Sequence, residues 1–117
     1  MSKYRSHNCN ELSLDDVGKN ISLAGWSNRK RDHGNVLFVD LRDHYGVTQC
    51  VVEKTNNNLI NLLDNLRVES VIKIDGKVIK RESDTINNLL NTGSIEVAID
   101  NVEVLSKSGF IFLILDL

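Results

Sequence analysis

The residues best suited to chemistry cluster in Arg29-Lys30-Arg31-Asp32-His33-Gly34, with Phe38 and Arg42 on the segment that follows and Gln49 on the next. Cations at the end of a strand and in the loop beyond it can meet phosphates. An outward aromatic ring can stack on an unpaired base, and an amide or guanidinium can read a base edge. A stacked base is worth about 1–3 kcal/mol. Arg81 and Glu96, on two later segments, add edge contacts of opposite sense, because a carboxylate accepts hydrogen bonds from base amino and imino groups and a cation cannot. The same residues also fit a plainer arrangement, a solvated cationic strand and a Phe packed beneath a loop. The fold derived below also hosts oligosaccharides and proteins. Composition and spacing alone therefore leave the ligand open.

Other chemistries find little support. His7, His33 and His44 share no H-x-x-x-H spacing, and the two cysteines, Cys9 and Cys50, form no C-x-x-C pair, so no metal site is expected. No two glycines are closer than seven residues, which excludes both G-x-G-x-x-G and a Walker loop. No Ser, His and Asp grouping has a local signature, so no catalytic residue is assigned, and Asp15-Asp16 is a solvated turn. A net charge of −2 excludes a broadly basic surface, so an anionic partner must be met by a local patch. The 117 residues suit one domain with one modest core. The cysteines read as reduced thiols of a cytoplasmic protein. The longest apolar run, Phe110 to Leu115, is far too short to span a membrane, and the first residues show no signal-peptide pattern. Proline is absent, where average usage would put about six.

The elements that must carry the cluster follow from periodicity. Residues 1–10 are polar and read as extended, and Glu11 to Gly18 as a turn. From Ile21 the pattern has period two, and Gly25 marks a change of parity before Trp26, which suggests a bulge or bend there. Beyond it, Ser27, Arg29 and Arg31 are expected on one face. Val36 to Asp43 alternates Leu37, Val39 and Leu41 against Phe38, Asp40 and Arg42, and Val47 to Glu53 alternates likewise. With turns at 32–35 and 44–46, these form an antiparallel meander. Leu59, Ile60, Leu62, Leu63 and Leu66 have helical spacing behind the N-cap candidates Asn56 to Asn58. Ser70 to Arg81 is a fourth strand bent at Gly76, 84–90 a short helical insertion, and Ile95 to Val104 a fifth strand with a bulge near Asn101. Three strands, a helix and two strands make an all-β OB-fold, a five-stranded Greek-key barrel.

The strings Gly25-Trp26, Arg29-Lys30-Arg31-Asp32-His33-Gly34, Leu37 to Asp43 and Gly46-Val47-Thr48-Gln49 resemble the N-terminal anticodon-binding domain of bacterial-type aspartyl-tRNA synthetases. The opening Tyr4 to Cys9 and the later Thr92 to Val97 are similar to that family too. The resemblance covers residues 3–107. It implies that Phe38 stacks on the middle anticodon base, a uridine, which Arg31 and Gln49 hydrogen-bond. It also implies that Glu96 and Arg81 help read the first base, guanine or queuine, and that Arg29 meets the stem backbone or a neighbouring base. His33 stands where the family tunes its check on the third base. Members with His there often also charge tRNA for asparagine, so the resemblance implies relaxed specificity, against a loop His with no contact.

Two departures matter. Many relatives carry a second Arg two residues before the position of Arg81, where this chain has Ile79. The family also continues into a class II catalytic domain that uses ATP and magnesium, whose motifs are missing here, so residues 1–107 are expected to bind RNA without aminoacylation and without a cofactor of their own. The parent enzyme is expected to be a cytoplasmic homodimer. Residues 108–117 form an apolar tail unlike the family's hinge. A free-standing module that binds protein or itself through that tail is the alternative.

Overall fold

A computed structural model describes residues 5–67 and 70–106. The tail at 108–117, and with it the proposed domain end, lies outside the described residues. Five strands, β1 (Asn20–His33), β2 (Val36–Arg42), β3 (Val47–Glu53), β4 (Val71–Lys80) and β5 (Ile95–Ser106), close into a barrel in the order β1-β2-β3-β5-β4. One helix, α1 (Asn57–Asp64), connects β3 to β4. The expected Greek-key barrel is therefore present.

Alternation builds the wall. Leu37, Val39 and Leu41 point inward from β2, and Ile72, Ile74, Val78 and Val97 meet them with no solvent exposure from β4 and β5. Each such side chain contributes about 1.5–3 kcal/mol relative to exposure. Leu59 and Leu63 turn the apolar stripe of α1 onto this core, with Ile60, Leu62 and Leu66 at its margin. The Asn56 side chain accepts from Leu59 N at 3.2 Å, so the helix starts on the first of its candidate caps. Cys9 and Cys50 are free and fully buried, and burial pushes both thiols well above their ordinary pKa.

Three local expectations are corrected. Residues 5–10 are not extended: Asn8 Oδ1 closes a turn on Asn10 N, and Cys9 enters the core, held by Asp43. Residues 84–90 form no helix beyond a 3-10 turn at Ser83–Thr85, and the loop is shaped instead by bonds such as Asn87 N to Gly93 O at 3.0 Å. The irregularity of β1 lies at Asn28, not at Gly25: Ser27 pairs with Leu41 and Arg29 with Asp40, leaving Asn28 as the extra residue. Ser27 is therefore buried and does not share the face of Arg29 and Arg31. Gly25 has another task, at the point where β1 passes from β4 to β2: a Cβ there would overlap the Arg42 carbonyl. The later bulge lies where expected, since the β4–β5 register skips Asp100, next to Asn101.

Candidate nucleic-acid interface

The bulge at Asn28 turns Arg29 and Arg31 to the outer face of β1, opposite Asp40 and Phe38 of β2. Lys30, between them, faces the other way and donates to Leu63 O at 2.7 Å and Leu66 O at 3.2 Å. It caps the carbonyl end of α1, where a cation also suits the helix dipole. The cationic run is thus divided between the outer face and the helix cap.

Polar groups on four strands form one chain. Arg31 Nη2 donates to Asp40 Oδ1 at 2.7 Å and to Gln49 Oε1 at 2.8 Å, and Gln49 Nε2 donates to Glu96 Oε1 at 2.9 Å. The Arg31 guanidinium carbon lies 5.4 Å from the Phe38 ring centroid, and the His33 and Phe38 rings meet in a T-shaped contact with centroids 5.2 Å apart at 74°. Phe38 is half-buried, propped on two sides with its outer surface available for stacking. Gln49 has the expected parity but is only 4% exposed, so it stands at the floor and not in open solvent.

Arg81 is a second departure from an exposed cation. It is 4% exposed, with Nε on Ile95 O at 2.8 Å and Nη1 on Thr85 O at 3.0 Å. Burial lowers its pKa, opposed by the charges of Glu96 and Asp40. Its Nη2 and the Nε of Arg31 are buried donors with no acceptor among the described residues. Such orphans are costly unless a ligand supplies oxygen.

These side chains border a cleft of about 290 Å³ that takes in Arg29, Arg31, His33, Phe38, Gln49 and Arg81. Asp40, Thr85, Asn87 and Leu90 complete it. The loop residues went unassigned because their place depends on how 82–93 folds back across the barrel, and no local spacing encodes that. Glu96 sits at the seam with a larger groove of about 620 Å³, floored by Val51, Ile79 and Ala98 and carrying no cation.

Ile79 pairs directly across from Glu96 and gives this carboxylate an apolar neighbour. Burial pushes the Glu96 carboxyl up from its ordinary value, partly offset by the Gln49 hydrogen bond and the charge of Arg81. A carboxyl with a raised folded pKa stabilises less as pH rises through that pKa, since the native state must give up a proton it holds more tightly than the unfolded chain does. Glu96→Gln keeps an oxygen for Gln49 Nε2 and removes the charge. The variant is expected to melt higher than wild type near neutral pH, with the gap closing toward about pH 4, where the free carboxyl also protonates. Equal melting temperatures at both pH values would show that Glu96 carries no desolvation cost.

Among the described residues, no group of three or more His, Cys, Asp or Glu side chains could hold a metal ion, and no helix is long and apolar enough to cross a membrane. What the surface offers is cations, one ring, and donor and acceptor edges side by side.

A family model described as an OB-fold nucleic acid binding domain, of the tRNA anticodon type, matches residues 21–105. The chain is 57% identical over 105 residues to a Pelagibacter ubique protein named Aspartate--tRNA(Asp/Asn) ligase, covering 90% of this chain and 18% of that one. It is 56% identical over 97 residues to the protein of the same name from Rickettsia canadensis, covering 83% and 16%. The chain thus spans under a fifth of these curated relatives. Among solved structures, asparaginyl-tRNA synthetase from Pyrococcus horikoshii superposes with a TM-score of 0.72 at 26% identity, over 86% of this chain and 22% of that one. An OBody bound to hen egg-white lysozyme shares the fold, with a TM-score of 0.77 at 22% identity over 92% and 99% of the two chains.

Proposed function

Because this chain belongs to the tRNA anticodon-binding family of OB-fold domains, we propose that it grips the anticodon stem-loop of tRNA for aspartate, and of tRNA for asparagine, on the outer face of β1, β2 and β3. One observation carries the reading. Arg31 touches both Gln49 and the ring of Phe38, so a base stacked on Phe38 meets a guanidinium and an amide at its edge. In the free protein these readers bond one another and Asp40, which holds them in place. A pyrimidine edge exchanges those bonds for its own.

Glu96 and Arg81 suit the first anticodon base. The carboxylate accepts from guanine imino and amino groups, and the orphaned Nη2 of Arg81 donates to a base oxygen or a phosphate. Ile79 supplies no second cation there. His33, in T-shaped contact with Phe38, borders the stacked base, so it is in reach of the next one. The shared use of aspartate and asparagine tRNAs rests on His33 and on the Asp/Asn names of the relatives.

Attachment of aspartate to tRNA with ATP and magnesium is assigned to the catalytic part of a cytoplasmic, homodimeric parent ligase. Recognition is the part assigned to the described residues.

Titration with the anticodon hairpin of tRNA for aspartate, its asparagine counterpart and a version changed at the middle base tests the proposal. The first two should bind comparably and the third more weakly, and affinity should fall linearly with salt on logarithmic axes. Equal affinity for all three would remove base reading at Phe38. A strong preference for the aspartate hairpin would remove the dual use.

A further inference from the structure

The outer face of the β1–β2 ladder does not stop at the cleft. Trp26 and Arg42 are direct cross-strand partners on it. Four residues of extended chain separate Phe38 from Arg42, about 13 Å at the usual rise. In the turn that follows, the His44 ring meets Trp26 edge-on at 5.8 Å and 69°, and the Arg5 guanidinium lies 5.5 Å over the ring of Tyr45. Arg42, His44 and Tyr45 are exposed.

Two observations show that this patch is available to an anion. Asp43, the acid next to Arg42, is 3% exposed, accepts from the backbone N–H groups of Cys9, Tyr45 and Gly46, and forms no ion pair among the described residues. Arg5 Nε is a buried donor with no acceptor, and Arg42 enters no ion pair among the described residues. The acids Asp75 and Asp100 border a hollow that also takes in Ser6 and Ser22, where Asp75 is engaged by Ser22 Oγ and Lys73. A chain of net charge −2 thus sets Arg29, Arg31, Arg42 and Arg5 along one stripe, interrupted by Asp40, which pairs with Arg31.

The composition of the stripe also changes along its length. The cleft has the Gln49 amide and the Asp40 carboxylate, with Glu96 at its border, whereas the Asp43 carboxylate at the Arg42 end is bonded to the backbone. The rings at that end are paired within the patch: Tyr45 lies under Arg5, and the Trp26 and His44 rings meet in a T-shaped contact. Positioned cations without edge readers recognise the phosphate–sugar backbone.

Resting on the anticodon reading above, we propose that Arg42 and Arg5, steadied by Trp26, His44 and Tyr45, form a second RNA contact that grips the backbone of the paired stem next to the anticodon loop, whatever its sequence. It adds affinity and orientation, and discrimination stays with the cleft.

The test uses the full chain and three RNAs: the aspartate anticodon hairpin, the hairpin changed at the middle base, and a single-stranded oligonucleotide carrying the loop alone. In Arg42→Gln/Arg5→Gln, affinity for both hairpins should fall by the same factor, about five- to tenfold, and the salt slope should shrink by roughly one per lost phosphate contact. Binding of the loop oligonucleotide should stay at the wild-type level. Arg42→Lys, which keeps the charge, should recover most of the loss against Arg42→Gln, and matched thermal melts separate binding from folding.

Wild-type binding of the hairpin with no change in affinity or slope in the double variant would overturn the second contact and leave the cleft standing. An equal loss on the loop oligonucleotide, or a loss confined to one hairpin, would also overturn it, as a loop or base contact. A wild-type chain that binds no hairpin would sink the anticodon reading and this contact together. That result would leave the patch to a protein partner.

Discussion

Phe38→Ala is expected to weaken binding of the cognate anticodon hairpin by about 1–3 kcal/mol, roughly 5- to 150-fold in Kd. The ring is half-buried on the outside of β2, away from the core formed by Leu37 and Val39, so its removal opens no interior cavity. The melting temperature should therefore change little while affinity collapses. Arg31→Ala should cost a similar amount for a different reason. Asp40 and Gln49 lose the donor that aligns them, and the base edge loses a partner. Arg31→Lys separates charge from geometry. Nη2 alone serves two acceptors, and the planar fork directs its other donors at fixed angles, an arrangement an ammonium does not reproduce. Middle-base discrimination should fall in Arg31→Lys while the salt dependence persists. Wild-type affinity in both Phe38→Ala and Arg31→Ala would place RNA binding elsewhere on the molecule.

A large effect on folding is expected from Gly25→Ala. The added Cβ would overlap the Arg42 carbonyl, a backbone atom in the β1–β2 ladder that no rotamer change can move. Overpacking in a core typically costs about 1–3 kcal/mol, and a clash with backbone belongs at or beyond the top of that range, a large share of the roughly 5–15 kcal/mol that holds a domain together. Gly34→Ala is the control. Gly34 has φ +68 with open space around it, so alanine carries only the left-handed backbone cost of roughly 1–2 kcal/mol. Urea unfolding of the two variants should rank them in that order, and equal midpoints would remove the close-approach argument. Gly25→Ala should also weaken hairpin binding in proportion to any shift of β1, because the same strand carries Arg29 and Arg31 a short way beyond it.

What was legible in the residues alone is what depends on near neighbours. A strand turns successive side chains to opposite faces, so the alternation in β2 placed Leu37, Val39 and Leu41 inside and Phe38 outside without reference to the rest of the chain. The helical spacing of Leu59, Leu63 and Leu66 and the cap at Asn56 are equally local. The motif strings at 25–49 were specific enough to carry the family as well.

Only the closed barrel decided the rest. Whether the extra residue of β1 falls at Gly25 or at Asn28 depends on the register with β2, and that choice buries Ser27 and turns the two arginines toward Phe38. Lys30 became a helix cap because α1 comes to rest beneath β1. Gln49 and Glu96 touch because β3 and β5 meet in the barrel's one parallel seam, through the pairs Cys50 with Val97 and Val51 with Ala98. Burial of Arg81, and the cleft walls from Thr85 to Leu90, follow from the loop that closes over them. Alternation is set within a few residues, whereas register and closure are set by pairings between distant segments, and those exist only once the barrel has formed.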